Sequence, residues 1–221
     1  TYANYFIILL NLLKKRSSNY QANITSCTFA TPNINPFFVS VIENFFNSYM
    51  HIGLQELEDV ALMDRSEKKY IIPIAWCGDI SNKLSTDYNI LEIANERQFR
   101  YDNLYFDTPE NICLEDHIRG RKNRFKVRIR SYSNSNISFV EVKSRNVYGR
   151  SQKMRIQRTS EQWDSPFTTK EQEFLSNCVP FAAELEPVLY SSYSRYTIAN
   201  IAKGERITFD TNLEYKTLTG E

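Results

Sequence analysis

Six short segments of the sequence alternate charged and uncharged residues with a period of two, and this pattern constrains the fold more than any other feature. They begin at Glu67, Lys126, Phe139, Lys153, Tyr193 and Arg206. Residues i, i+2 and i+4 of a strand lie on one face, so each segment predicts a strand with an ionic face. For one strand alone, the simpler interpretation is that this face meets water. Six such segments together predict a sheet whose cations share a surface.

The charge of the chain is concentrated in one block. Between Arg119 and Arg158 there are 13 Lys or Arg residues and one acidic residue, Glu141, although the whole chain has a net charge of only +1. Like charges directly opposite each other on neighbouring strands destabilise the pairing. A bound polyanion would offset that repulsion, so the block predicts an anion-binding surface.

Composition excludes several other classes of protein. The chain is 42% hydrophobic and 24% charged with 6 Gly and 7 Pro, which excludes a disordered or collagen-like chain. Its 4 Cys form no CxxC pair and it has 2 His, which excludes zinc ribbons and His-rich metal sites. The sparse cysteines favour a reducing compartment, so we expect the protein in the cytoplasm or on the cytoplasmic face of a membrane.

The pattern predicts an α+β fold. If the strands pair and close, they form an antiparallel eight-stranded β-barrel with a charged lumen and flanking helices. A further strand is predicted at 99–106, and helices at 36–64, 81–94 and 168–177, the last opening on a capping box. Residues 1–36 are expected to be an irregular extension before a domain at 37–221. Their apolar run at 6–13 is interpreted as irregular or as an amphipathic helix; the alternative is the end of a membrane helix or signal sequence.

Seven segments occur in the order seen in VTC domains, and the chain resembles that family from about Phe45 to Tyr215. VTC domains are the polyphosphate-polymerase-type members of the CYTH-like, triphosphate tunnel metalloenzyme group. The segments are LMDRSEKKY (62–70), YFDT (105–108), DHIRGRKNRFKVRIRSY (116–132), FVEVK (139–143), GRSQKMR (149–155), YSRYT (193–197) and ERITFDTNL (205–213).

The resemblance implies a tunnel lined with Lys and Arg that transfers the γ-phosphate of a nucleoside triphosphate, with ATP the first choice, to inorganic polyphosphate. It implies Mn²⁺ or Mg²⁺ as cofactor. The catalytic residues predicted on this basis are Lys69, Arg128, Arg130 and Lys143. The predicted phosphate-binding residues are Lys126, Lys153, Arg155, Arg195 and Arg206. The candidate metal ligands are Glu67, Glu141 and Asp210.

The chain departs from the wider group at two points. Arg65 stands where that group often has the first glutamate of an ExExK motif, and the family's final strand with a metal-binding glutamate would lie beyond Glu221. A C-terminally truncated domain is therefore expected.

Alternative functions remain open on the residues alone. They are a triphosphatase of the same fold and a non-catalytic module that binds polyphosphate or another polyanion. A membrane partner is also left open. A nucleic-acid partner is disfavoured, because Val127 and Ile129, rather than aromatic residues, separate the cations of the 126–130 segment.

Overall fold

The structure, a computed structural model, describes residues 5–12, 44–59, 66–73, 76–158 and 162–218. Its strands are β1 (Tyr5–Leu12), β2 (His51–Ile52), β3 (Ser66–Pro73), β4 (Asn89–Leu91), β5 (Phe99–Asp107), β6 (Arg124–Tyr132), β7 (Ile137–Arg145), β8 (Ser151–Gln157), β9 (Glu186–Asn200) and β10 (Glu205–Thr217). Its helices are α1 (Leu54–Asp59), α2 (Cys77–Leu84), α3 (Ile112–Ile118) and α4 (Thr169–Cys178), with a 3₁₀ turn at Ala182–Glu184.

The predicted fold class is confirmed, since eight of these strands form a sheet with antiparallel pairing and helices flank it. All six segments with the period-two pattern lie within strands, as does the predicted strand at 99–106. The chain divides into two compact units, with residues 100–192 and 214–221 in one and the remainder in the other. Strands β9 and β10 each contribute to both units.

The 100–192 unit contains the strand order β9-β5-β6-β7-β8. The alternate residues Val127 and Ile129 of β6 and Val140 and Val142 of β7 are fully buried on one face of this sheet. Leu175 of α4 joins them in the same core cluster. Burying each of these side chains contributes roughly 1.5–3 kcal/mol, so this face fixes the strand register.

Helix α4 begins at the predicted capping box. The Thr168 hydroxyl accepts a hydrogen bond from the Glu171 backbone N–H, and the Glu171 carboxylate accepts one from the Thr168 backbone N–H. The predicted helix at 168–177 is therefore confirmed.

The second unit contains the strand order β3-β1-β10-β9, with β4 paired to β9 and β2 to β4. Its core includes Ile198 of β9 and Ile207 and Phe209 of β10, on which the Phe46 and Tyr49 rings pack. As in the first unit, alternate residues of each strand point into the core and leave the other set on the opposite face.

The interpretation of residues 6–13 as irregular or as an amphipathic helix is wrong for the described part, because residues 5–12 form β1. This strand pairs antiparallel with β3 on one side and β10 on the other. A continuous apolar run without helical periodicity suits a strand with neighbours on both edges. The predicted domain boundary at residue 36 lies outside the described residues and stays a prediction.

Two of the predicted helices are shorter than expected. In the 36–64 range, residues 44–46 and α1 are helical, but His51–Ile52 form a strand between them, and residues 36–43 and 60–64 lie outside the described ranges. In the 81–94 range the helix ends at Leu84, and β4 follows. Ile90 of β4 is fully buried and pairs with Ile198, so tertiary pairing overrides the local helical pattern there.

Within the part of the chain that the structure describes, none of the helices is long and apolar enough to span a bilayer.

Candidate functional site

The face of β5–β8 opposite the valine and isoleucine core carries most of the predicted site residues, and we call it the ionic face. Because the strands pair in register, residues of this face that are directly opposite one another form rows that run across the strands. Its members are Tyr101, Asn103, Tyr105, Arg124, Lys126, Arg128, Arg130, Tyr132, Ile137, Phe139, Glu141, Lys143, Arg145, Ser151, Lys153, Arg155 and Gln157.

Glu141 lies at the centre of the ionic face and holds two cations. Only 2% of its side chain is exposed. Arg128 on β6 donates to Oε2 through Nε at 2.8 Å and Nη2 at 2.6 Å. Lys153 on β8 forms an ion pair with Oε1. The carboxylate therefore fixes an arginine and a lysine from the two strands that flank its own.

Three lysines lie opposite one another across β6, β7 and β8, and we call them the lysine row. Lys126 pairs in register with Lys143, and Lys143 with Lys153. Neighbouring strands are about 4.8 Å apart, so the backbone positions of the three lysines span about 10 Å. Lys153 has Glu141 as a partner, whereas Lys143 has no ion-pair partner among the described residues. Such a row destabilises the sheet unless an anion neutralises it.

The titration of Glu141 reflects its cationic surroundings. Burial raises the pKa of this carboxyl, but the charge of Arg128 and the hydrogen bond from Lys153 lower it by more, so the pKa lies below its ordinary value of 4.5. For Lys153, burial and the charges of Arg128 and Arg130 lower the pKa of the ammonium, and together they outweigh the opposing effect of Glu141. Glu141 is therefore ionised at neutral pH.

A pH dependence of stability follows from the lowered pKa of Glu141. The unfolded carboxyl titrates near 4.5 and the folded one lower, so its contribution is present above pH 4.5 and is lost as the pH falls through the folded pKa. We expect wild type to be more stable than Glu141→Gln at pH 7, with the difference in free energy of unfolding shrinking below pH 4.5. Urea unfolding of both proteins from pH 7 to pH 3 measures this. A difference that stays constant over that range would contradict the proposed ion pairing.

Aromatic side chains share the ionic face with the cations. The Tyr105 hydroxyl lies 3.3 Å from Nη1 of Arg128. Burial raises the pKa of the Tyr105 phenol, but the charges of Arg128 and Arg130 lower it by more, so the pKa lies below its usual value of 10.0. The guanidinium of Arg155 lies over the Phe139 ring, 4.5 Å from its centroid. These contacts hold the guanidinium planes in fixed positions.

The remaining predicted cations lie in the other unit, on the face of β3, β9 and β10 opposite its core. Arg195 donates to Asp210 through two parallel hydrogen bonds of 2.6 and 2.7 Å, and its guanidinium lies 5.0 Å from the Tyr193 ring centroid. Lys69 on β3 has an exposed side chain, and Arg206 lies near the start of β10. These three cations therefore lie on the same face of the second unit, separate from the ionic face.

The candidate metal ligands do not form a carboxylate site in the described structure. The Glu141 carboxylate is held by Arg128 and Lys153, and both Asp210 oxygens are held by Arg195. Glu67 lies on β3, but its side chain is outside the described part of the structure. Within the described ranges, no three His, Cys, Asp or Glu side chains come together. In the described structure Glu141 and Asp210 are therefore engaged in ion pairs with cationic side chains, and the expectation of Mn²⁺ or Mg²⁺ stays a prediction.

The structure brings seven of the predicted residues together on the ionic face. They are Lys126, Arg128, Arg130, Glu141, Lys143, Lys153 and Arg155. Their catalytic or binding roles stay predictions. The sequence analysis did not identify Tyr101, Tyr105 and Phe139 as members of this face. The two tyrosines could have been identified by aligning the period-two alternation of β5 with that of β6.

The family model of the VTC domain matches residues 64–218 of the 221. The match includes strands β3 to β10 and all of the predicted site residues, whereas β1 and β2 precede it. No curated protein sequence matches the chain.

Solved structures with a similar arrangement include three proteins of low identity. A candidate adenylate cyclase from Vibrio parahaemolyticus has 13% identity, with 56% of this chain and 62% of that chain covered and a TM-score of 0.32. One from Bacillus halodurans has 14% identity, coverages of 54% and 69%, and a TM-score of 0.34. A candidate adenylyl cyclase from Hippeastrum with a dominant triphosphatase activity has 12% identity, coverages of 59% and 70%, and a TM-score of 0.31. The chain thus spans less than two thirds of the first of these proteins.

Proposed function

This chain belongs to the VTC domain family, and from that premise we propose that it is a phosphotransferase acting on nucleoside triphosphates. In this proposal it moves the γ-phosphate, from ATP as the first candidate, to the end of an inorganic polyphosphate chain. The ionic face of β5–β8 binds the phosphates.

The lysine row is the observation that carries the proposal. Lys143 is directly opposite Lys126 on one side and Lys153 on the other. Glu141 balances the charge of Lys153, and the remaining like-charge pair costs sheet stability that an anionic ligand restores. Arg128 and Arg155 flank the Glu141 position in the next row, so planar guanidinium groups lie beside the point charges. Arginine grips phosphate oxygens two at a time, and lysine adds a movable charge, which together suit a chain of phosphates.

The chemistry needs little from the protein beyond position and charge. A terminal polyphosphate oxygen attacks the γ-phosphorus in line, a new P–O bond forms there, and the bond to the β–γ bridging oxygen breaks. The nucleoside diphosphate leaves with that oxygen. The nucleophile is already anionic, so no general base is required, and cations that neutralise the equatorial oxygens supply the main stabilisation. A divalent cation, when bound, would add charge neutralisation on the phosphate oxygens.

We place the protein in a reducing compartment, the cytoplasm or the cytoplasmic face of a membrane. Cys77, Cys113 and Cys178 are free thiols, which supports this assignment. The proposed partners are the nucleoside triphosphate and polyphosphate, without nucleic acid.

Incubation with ATP and Mn²⁺ tests the proposal against its alternatives. Acid-stable polymer supports a polymerase, whereas release of inorganic phosphate without polymer indicates a triphosphatase. Binding of polyphosphate that survives EDTA, without turnover, indicates a non-catalytic module.

Two lysines allow a matched comparison in the same assay. We expect Lys143→Ala to lower the rate of product formation at least tenfold, because it removes the central charge of the lysine row. Lys170→Ala removes another exposed lysine, from α4 and away from the ionic face, and it is expected to leave the rate within twofold of wild type. Equal effects of the two substitutions would contradict a phosphate site on the ionic face.

A further inference from the structure

The ionic face changes in chemical character along its strands. At one end, Arg124 pairs in register with Arg145, and the lysine row follows. The next row contains Arg128, Glu141 and Arg155. Same-face neighbours on a strand are about 6.8 Å apart, so these three rows extend over about 14 Å. Positive charge dominates this end.

The other end of the face is aromatic, and we call Tyr101, Tyr132 and Phe139 the aromatic end. The Tyr101 and Tyr132 rings are 5.1 Å apart at an interplanar angle of 61°, and the Tyr132 and Phe139 rings are 5.9 Å apart at 87°. All three side chains are half-buried rather than enclosed. They lie on the ionic face and not in the aliphatic core, so packing of that core does not explain their presence.

Planar polar groups border the aromatic end. The Arg155 guanidinium lies over Phe139, and the Arg130 guanidinium lies 5.2 Å from the Tyr101 ring centroid. Gln157 is directly opposite Phe139 across β7 and β8, and its side chain is exposed. Aromatic rings, guanidinium planes and an accessible amide are the groups that stack on a nucleobase and hydrogen-bond to its edge.

We infer that the aromatic end binds the nucleobase of the nucleoside triphosphate, and that the phosphates extend from there along the strands toward the lysine row. This inference rests on the proposed function and adds an orientation to it. A neutral base gains little binding free energy from the lysine row, and a phosphate gains little from aromatic rings. The change from aromatic to cationic side chains along the strands therefore favours one direction of binding. Phe139 and Lys143 are four residues apart on one strand, about 14 Å, which an extended nucleoside triphosphate can span.

Calorimetric titration with two ligands, ATP and inorganic tripolyphosphate, tests the orientation. Tripolyphosphate contains the phosphates without the base. We expect Phe139→Leu to weaken ATP binding about tenfold, because stacking on an aromatic ring is worth roughly 1–3 kcal/mol, and to leave tripolyphosphate binding within twofold. Phe139→Trp retains a stacking surface and is expected to retain the wild-type ratio of the two affinities. Lys143→Ala is expected to weaken both ligands together.

If Phe139→Leu weakened the binding of ATP and of tripolyphosphate equally, or weakened neither, the inferred orientation would be wrong, whereas the proposed function would still stand. If wild type bound neither ligand, the proposed function itself would fail. Should Phe139→Leu not fold, as judged by circular dichroism, Tyr132→Leu provides the same comparison at the adjacent ring.

Discussion

Replacement of Arg128 by methionine is expected to lower product formation from nucleoside triphosphate by about 100-fold or more. Glu141 holds Arg128 on the ionic face through two hydrogen bonds to one carboxylate oxygen. Removing one fixed donor from a site that stabilises developing negative charge costs about 10²–10³ in turnover. Steady-state assay of phosphate release and polymer formation measures the effect.

The same substitution also destabilises the fold, and a second variant separates the two effects. Arg128→Met leaves the Glu141 carboxylate buried with one of its two cations, which costs roughly 3 kcal/mol. In the double variant Arg128→Met/Glu141→Gln the uncompensated charge is gone, so stability is expected to recover while activity does not. The reference for that activity is Glu141→Gln alone. Activity in the double variant equal to that reference would show that Arg128 contributes only to folding.

Replacement of Arg158 by methionine is expected to lower the free energy of unfolding by about 3–5 kcal/mol, because it leaves a buried carboxylate without its cation. Its side chain is fully buried and forms an ion pair with Glu171 at 3.1 Å. Its guanidinium also donates to the backbone carbonyls of Trp163, Ser165 and Pro166 at 2.9–3.0 Å. One side chain thus ties the end of β8 to the loop that leads into α4.

Chemical denaturation of Arg158→Met and of a matched surface variant measures this loss. Arg150→Met removes an exposed arginine from the β7–β8 connection and is expected to stay within about 0.5 kcal/mol of wild type. Adding Glu171→Gln to Arg158→Met keeps the amide oxygen for the helix cap, removes the unpaired charge, and should recover part of the loss. A loss below about 1 kcal/mol for Arg158→Met would mean that water replaces its partners.

The strands were predictable because their alternation is strong and local. The 126–130, 139–143 and 153–156 segments each expand by a few residues into β6, β7 and β8, and their valine and isoleucine positions are those buried beneath α4. The two-residue period also predicts that the cations share a face once the strands pair. The N-terminal strand was not predictable in this way, since an unbroken apolar run contains no period to distinguish strand from helix.

Strand β5 shows what alternation alone cannot determine. Its charged pair, Arg100 and Asp102, lies on the side away from the ionic face, where Ser133 and Tyr190 donate to the Asp102 carboxylate at 2.6 and 2.7 Å. The other set, with Tyr105 opposite Arg128, contributes the uncharged side chains of the site. Both sets of alternate β5 residues contain polar groups, so the sequence pattern does not show which set lies on the ionic face. Long-range strand register determines this.

The ion-pair partners of the candidate metal ligands could not be predicted from the sequence either. Glu141 and Asp210 stand on strands rich in cations, so metal binding and ion pairing remained open from the sequence. In the described structure Arg128 lies beside one carboxylate and Arg195 beside the other, and these pairings depend on contacts between strands that the local pattern does not contain.

A crystal structure of the protein with inorganic tripolyphosphate tests the central claim most directly, namely that the ionic face of β5–β8 is the phosphate-binding surface. Phosphate oxygens are expected about 2.8 Å from the Arg128 and Arg155 guanidinium groups and from the Lys143 ammonium. An anion bound elsewhere, with the lysine row still facing solvent, would contradict it.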